Sequence, residues 1–377
     1  MSVSTHARRR LAAALLEQNS ALRESIKREF SGLAQSARND LPKYMASMEA
    51  FQADLMGAVD ANDMTLTQIF GPPEDGVLST FKRSLGFGTG GDAYDGLGSL
   101  WRHTAKDWSA EGSGLQAAMR ERIQSLVHNE WTFQPSHGDG EPFRVLVPGC
   151  GQGRLAYSIT SSLLDTAANG SGFEVIGLER SEATLALARH MLELPVEAEP
   201  FTFHPFLDAF TNNWDTQGRT VALSAPDVPA NERRRVRESG RLVLRPDDFL
   251  AFAQRCGGPE RRSDVVVTSF LLDCLSEGME AGVCAVRDAL RPGGLWIFSG
   301  PLHYFQGGQY VPRPSPTLQH ILSLSEDCGM EIEVPPESIP APYVYRPGAF
   351  LAEAQWTVPL FAARKRKLVE DESKSES

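Results

Sequence analysis

The sequence is poor in several features that mark whole protein classes. Cysteine occurs five times in 377 residues, as Cys150, Cys256, Cys274, Cys284 and Cys328. No two are spaced as CxxC and the number is odd, which argues against a disulfide framework or a structural zinc site and fits a reducing compartment. No uncharged apolar run is long enough to span a bilayer. Met1 to Arg10 is charged and lacks an apolar segment, so no secretory signal is expected. Positive charge is in deficit, with 37 Lys and Arg against 48 Asp and Glu and a net charge of −11. That balance disfavours a nucleic-acid surface. The densest internal basic run, Arg233-Arg234-Arg235 with Arg237, reads as a solvated face. Arg364-Lys365-Arg366-Lys367 is either a solvated end or a short nuclear import signal, so a cytoplasmic and also nuclear location is expected.

The composition is otherwise that of a globular protein, with 41% hydrophobic and 23% charged residues. Leu11, Ala14, Leu15, Leu22 and Ile26 recur at helical spacing. A second helix is expected from about Lys43 to Val59, and Asn62 or Asp63 could cap a third. Gly71 to Gly98 is a Gly, Pro and Asp-rich loop, followed by helix from about Gly98 to His128. Four short apolar runs then read as strands: Arg144–Val147, Glu174–Leu178, Asp264–Ser269 and Leu295–Phe298. Helical patterns over Ser181–Leu192 and Met279–Leu290 separate them, which implies a parallel sheet covered on both faces. The expected organisation is a helical extension and linker over 1–97, an α/β domain over 98–365 with a polar insertion at about 205–242, and a disordered charged tail over 366–377. The amphipathic N-terminal helices are read as cover for an apolar sheet face in preference to a lid.

The sharpest local signal is Val147-Pro148-Gly149-Cys150-Gly151-Gln152-Gly153-Arg154-Leu155, which follows a strand and opens a helix. Glycines there let the backbone turn and approach a ligand, although nicotinamide and flavin proteins use related loops. Glu179 ends the second strand, where an acid can accept from both ribose hydroxyls or complement a helix dipole. Asp248 and Phe249 could hold an adenine by its amino group and ring; as a plain alternative, the acid caps a helix. Leu290-Arg291-Pro292-Gly293-Gly294-Leu295 is a turn common in class I methyltransferases. The combination points to a Rossmann-like class I methyltransferase sheet and to S-adenosylmethionine as cofactor.

On further segments the chain resembles the N2227-like family, characterised as carnosine N-methyltransferases. These are Lys106-Asp107-Trp108-Ser109, the Gly149–Ala156 loop, Phe210-Thr211-Asn212-Asn213, Pro226-Asp227-Val228, Ser269-Phe270-Leu271-Leu272-Asp273 and Gly300-Pro301-Leu302. The resemblance implies methyl transfer to an imidazole nitrogen of a histidine-containing dipeptide such as carnosine. It implies a substrate-binding role for Asp273 and cofactor contacts at Gly151, Glu179, Asp248 and Phe249, with Gly149 and Gly153 in the same loop. His103 and Lys106 stand where the family has Gln and Arg; Lys106 keeps a cation for the cofactor carboxylate but not the bidentate fork. His303 lies two residues before the family histidine, which in an extended segment keeps it on the same side. Tyr343 matches a family tyrosine, and Trp356 occupies the neighbourhood of others.

Methyl transfer from a sulfonium is an in-line displacement in which the protein positions the attacking lone pair. A carboxylate accepting from the second imidazole nitrogen fixes the tautomer and stabilises the developing cation. Asp273 is the candidate for that role, or for binding the dipeptide's ammonium, with His303 and Tyr343 beside it; a helix cap is its bland alternative. Asn212 and Asn213 either bind substrate or order the insertion. Cys150 is expected to pack in the loop, and Trp356 to lie in the core. Two other readings stay open at this point: a methyltransferase with a protein acceptor, and a cofactor-binding partner subunit without catalysis.

Overall fold

The computed structural model describes residues 5–31, 41–72, 97–133, 141–166, 172–194, 200–209, 213–255, 262–304, 315–342 and 356–367. Most of the Gly71–Gly98 loop and the charged tail beyond Lys367 lie outside these residues. The chain divides into two compact units. One is Met1–Gln116, Ser181–Arg235 and Pro342–Gln355; the other is Ala117–Arg180, Val236–Ala341 and Trp356–Ser377.

The second unit holds a seven-stranded sheet. Its strands are β1 (Phe143–Pro148), β2 (Phe173–Glu179), β5 (Leu242–Pro246), β6 (Ser263–Ser269), β7 (Leu290–Ser299), β8 (Met330–Pro340) and β9 (Thr357–Lys365), in the order β5-β2-β1-β6-β7-β9-β8. The first unit contributes the two-stranded pair β3 (Phe201–Phe203) and β4 (Leu223–Ala225). The pairs β5·β2, β2·β1, β1·β6 and β6·β7 are parallel. The sheet is not parallel throughout, however: β9 runs antiparallel to β7 and to β8. The sequence pattern missed this hairpin because Glu331, Glu333, Pro335, Pro336 and Glu337 break the apolar run of β8.

Alternate residues of the central strands feed opposite cores, as the two-residue strand period requires. Val145, Val147, Val265, Val267, Leu295 and Ile297 pack with the helices Ala117–Phe133 and Arg154–Thr166. Leu146, Val266, Trp296 and Phe298 pack on the other side with Phe249–Arg255, Met279–Ala289 and Leu318–Asp327. Burial on both faces explains why these strands read as unbroken apolar runs. Trp296 is fully buried, lies 5.1 Å from the Phe361 ring, and donates its indole N–H to Thr268 Oγ1 at 2.8 Å.

Charged side chains tie the antiparallel edge to this core. Arg364 binds both carboxylate oxygens of Glu130 at 2.8 and 2.9 Å and also pairs with Glu333. Lys365 Nζ donates to the Arg287 and Leu290 carbonyls at 2.6 and 2.8 Å, closing the C-terminus of Met279–Ala289. Two of the four residues of the basic run at 364–367 are thus part of the fold and not a free solvated end.

In the first unit, Ile26, Phe30, Leu55, Ala58 and Val59 join the helices Thr5–Ser31 and Pro42–Phe70. The second of these is continuous, so neither Asn62 nor Asp63 starts a new helix. Asn62 is buried and instead exchanges hydrogen bonds with the His204 backbone, donating at 3.0 Å and accepting at 2.8 Å. The expected insertion at 205–242 contains β4 and the helix Ala230–Glu238. Arg233 departs from the solvated-face reading: it is buried and donates to the Val228 carbonyl at 3.0 Å, while Arg234 and Arg235 stay exposed.

Trp296→Ala is expected to destabilise the protein by about 3–5 kcal/mol through the cavity it leaves. Trp296→Phe should cost less, because the ring contact with Phe361 survives. Urea unfolding midpoints of the three proteins check this order.

Candidate functional site

Parallel pairing sets the ends of five strands along one edge. Registers Pro148↔Leu178, Glu179↔Pro246 and Ser269↔Ser299 align the ends of β1, β2, β5, β6 and β7. In open α/β sheets this carboxyl edge is where ligands bind. The glycine loop, Glu179, Asp248, Asp273 and His303 all lie on the segments that leave it.

The loop after β1 is held by Cys150 N–H on the Leu178 carbonyl and Gly153 N–H on the Cys150 carbonyl, both 2.9 Å. Gly149 and Gly151 take φ of 61° and 56°, which side chains disfavour. A Cβ at Gly149 would come within 2.7 Å of the Leu271 side chain, whereas one at Gly151 would meet nothing within 4 Å. The loop therefore presents open backbone at Gly151. Gly153, with φ of 78°, leads into the helix Arg154–Thr166. Cys150 is buried and packs against β2, where a Cβ at Gly177 would lie 2.9 Å from its sulfur.

Glu179 is buried at the end of β2, and its Oε2 accepts the Gly151 N–H at 3.0 Å. A buried carboxylate facing a glycine-lined opening fits a diol-bearing nucleoside at this edge. Asp248 is exposed and its Oδ1 accepts the Ala251 N–H at 2.9 Å, capping the helix Phe249–Arg255. Phe249 is buried in the core cluster that contains Leu146 and Ile176.

The ends of β6 and β7 approach closely. Phe270 N–H donates to the Ser299 carbonyl at 2.9 Å, and a Cβ at Gly300 would lie 2.9 Å from Phe270 N. Phe270 and Tyr304 adopt φ of 54° and 52°, strained values for residues with side chains. Between them Asp273 sits in a short 3-10 turn, 5% exposed, with Oδ2 accepting the His303 N–H at 3.1 Å. Burial raises its pKa, opposed by the hydrogen bonds from His303 and its neighbours. The Tyr304 hydroxyl donates to the Pro316 carbonyl, and its pKa is pushed up to about 12, first by burial and then by Asp273.

The His303 side chain is exposed and its ring meets Trp356 edge-on at 5.0 Å. The two flank a cleft of about 480 Å³ lined also by Leu302, Leu318, Glu337 and Pro359. Trp356 packs on the core and borders this cleft, so the core reading captures half of its role. Glu337 and Tyr304 were not singled out from sequence; Glu337 belongs to the strand that sequence missed.

The remaining candidates belong to the first unit. His103 and Lys106 lie on the helix Leu97–Trp108. Burial, then Lys106 and Arg102, hold the His103 pKa well below its usual value, so its ring is neutral. Asp227 N–H donates to the Trp108 carbonyl at 2.7 Å, joining two of the segments that carry the family resemblance. Asn213 Nδ2 donates to the Ala209 carbonyl at 2.7 Å, ordering the turn it follows. Asn212 and Tyr343 lie outside the described residues. Among the described residues no helix is long and apolar enough to cross a membrane.

A sheet of this order with a reversed β9, a glycine loop after β1 and an acid ending β2 has the class I methyltransferase fold. The family model for carnosine N-methyltransferase matches residues 92–367, and the chain belongs to that family. Carnosine N-methyltransferase of Schizosaccharomyces pombe is 24% identical over 80% of this chain and 77% of its own length. The Drosophila melanogaster carnosine N-methyltransferase unmet is 24% identical over 71% of this chain, and the chain spans 55% of that protein. For the rat enzyme the identity is 24%, and the spans are 66% and 58%. Among solved structures, magnesium protoporphyrin IX methyltransferase from Synechocystis PCC 6803 overlaps 76% of this chain and 96% of its own. It does so with 14% identity and a TM-score of 0.39, too loose a match to place any residue.

Because burial raises the Asp273 pKa, ionising this carboxyl weakens the fold. The contribution of this one group to stability is fully present below the ordinary carboxylate range and is lost as pH rises through the raised value. Asp273→Asn keeps an oxygen for the His303 N–H and removes the charge. It is therefore expected to be at least as stable as the parent at pH 7, with an advantage that vanishes near pH 3. Thermal unfolding across that range checks the sign.

Proposed function

We propose that this chain is an S-adenosylmethionine-dependent N-methyltransferase that methylates an imidazole nitrogen of carnosine or a related histidine-containing small molecule. The observation that carries the reading is the gathering of the open glycine loop, buried Glu179 and buried Asp273 on one sheet edge in a member of this family. The residues present fit the cofactor. Gly149, Gly151 and Gly153 offer close backbone approach, Glu179 takes the ribose hydroxyls, and Asp248 with Phe249 borders the adenine end. The family resemblance, and not the geometry, assigns His103 and Lys106 to the cofactor carboxylate. Once bound, the cofactor supplies a methyl carbon already activated by the sulfonium.

The chain's own residues do the rest. Imidazole has a reference pKa of ~6.5, so the acceptor is mostly neutral at pH 7. Asp273 accepts from the ring nitrogen that keeps its proton, leaving the other lone pair for attack. Its buried setting strengthens the attraction for the cation that forms, because low dielectric magnifies charge interactions. His303 and Trp356 form an aromatic wall of the adjoining cleft. Tyr343, Asn212 and Asn213 are proposed as substrate residues on the family resemblance alone. The protein acts as a small-molecule enzyme in a reducing compartment, the cytoplasm, with the nucleus a second location.

Purified protein with methyl-labelled S-adenosylmethionine should transfer label to carnosine and homocarnosine but not to anserine, whose target nitrogen is already methylated. Mass spectrometry reads the product, and absence of label on every imidazole compound while the cofactor still binds would remove the proposed acceptor class. Glu179→Gln should weaken cofactor binding roughly ten- to hundredfold, as loss of charged hydrogen bonds of about 1.5–3 kcal/mol implies; calorimetry measures it. Asp273→Asn should lower kcat by about 10²-fold or more with cofactor affinity kept.

A further inference from the structure

The first unit contains a second cavity, of about 130 Å³, that shares no residue with the sheet-edge site. It lies where the helix Thr5–Ser31, the helix Leu97–Trp108 and the end of β3 come together. Asn19, Asn62, Trp101, His204 and Asp208 are among its lining residues. Two of these carry buried polar atoms with no hydrogen-bond partner: Asn19 Oδ1 and Trp101 Nε1. Both residues are nine-tenths or more buried. Leaving such groups unpaired costs about 1–3 kcal/mol each, so each demands something in the cavity.

Their orientations are pinned. Asn19 Nδ2 donates to the Val59 carbonyl at 3.0 Å and to Asp63 Oδ1 at 2.7 Å. The amide cannot be turned over, because an oxygen in that place would face two acceptors. Asn19 therefore offers the cavity an acceptor. The Trp101 ring is stacked on Phe203 at 5.2 Å with a 24° tilt, which fixes its indole N–H, a pure donor. His204 Nδ1 lies 2.8 Å from the Thr220 carbonyl. A carbonyl only accepts, so Nδ1 carries a proton, and in the neutral ring Nε2 is the acceptor. Asn62 spends both amide atoms on the His204 backbone and holds that residue in place. At the margin Asp208 is paired with Arg102 at 2.6 Å.

Asn19, His204 and Trp101 thus offer two acceptors and one donor, with Gln18 beside them, and among the described residues no lysine or arginine lines the cavity to favour an anion. The complement is a neutral group with two N–H donors and one carbonyl. We propose that this cavity binds the primary carboxamide end of a small neutral molecule, its N–H groups on Asn19 Oδ1 and His204 Nε2 and its carbonyl on Trp101 Nε1. The volume is many times the ~10–15 Å³ that one water requires, so there is room for a carboxamide and its first carbons. The site stands independently of the methyl-transfer reading.

The test uses the full-length chain labelled with ¹⁵N-tryptophan. Trp101→Phe, which keeps a ring to stack on Phe203, assigns the Trp101 indole signal by its disappearance. Acetamide and propionamide should then shift that signal saturably. Acetate and N,N-dimethylacetamide, which lack the N–H donors, should not shift it at the same concentrations. Ligand-observed NMR should show acetamide held several-fold more weakly by Trp101→Phe than by the parent. No shift, an equal shift from all four compounds, or undiminished acetamide binding by the variant would overturn the proposal and leave the cavity to ordered water.

Discussion

Parallel pairing of β5, β2, β1, β6 and β7 is the constraint on which the site depends. Parallel strands all end on the same edge, so residues far apart in sequence leave the sheet side by side. Gly151 and Glu179 are 28 positions apart and share a hydrogen bond because β1 and β2 end in register. Asp273 and His303 are 30 apart and meet for the same reason at β6 and β7. Burial of the sheet on both faces makes this register rigid, since a one-residue slip would exchange the two cores.

The edge also concentrates cost. Asp273 is a carboxylate buried where its ionised form is disfavoured, and Phe270 and Tyr304 flank it in left-handed backbone. The hydrogen bond to the His303 N–H offsets part of the desolvation. Groups held at such expense gather where chemistry needs a charge in a low-dielectric place. Asp248 shows the opposite economy. It caps the helix Phe249–Arg255 with one oxygen and stays exposed, so a structural duty and a ligand contact can coexist there.

Much of this was legible in the sequence because it rests on short-range patterns. Three of the four apolar runs, the glycine loop and the helix beginning after Ser181 lie within a residue or two of their expected bounds, since burial and capping fix them locally; β7 instead begins at Leu290, not Leu295, and takes in the segment expected as a turn. The reversed β9 and its partner β8 were not legible, because the prolines and glutamates of β8 hide a strand whose pairing is long-range. Arg233 looked like surface because a charge run says nothing about which carbonyls await it; the Val228, Met191 and Leu194 carbonyls receive its buried guanidinium. The same limit applied to Trp356, whose contact with His303 is set by the antiparallel pairing of β7 with β9 and not by spacing. Asn62 resembled a helix cap, yet its partner is the backbone at His204, 142 residues away.

A crystal structure of the chain with S-adenosylhomocysteine and carnosine bound tests the central claim most directly. The account predicts ribose hydroxyls on Glu179 and an imidazole N–H on Asp273, both at the carboxyl edge of the sheet. Nucleoside density away from Glu179, or a carnosine ring that does not contact Asp273, would contradict it.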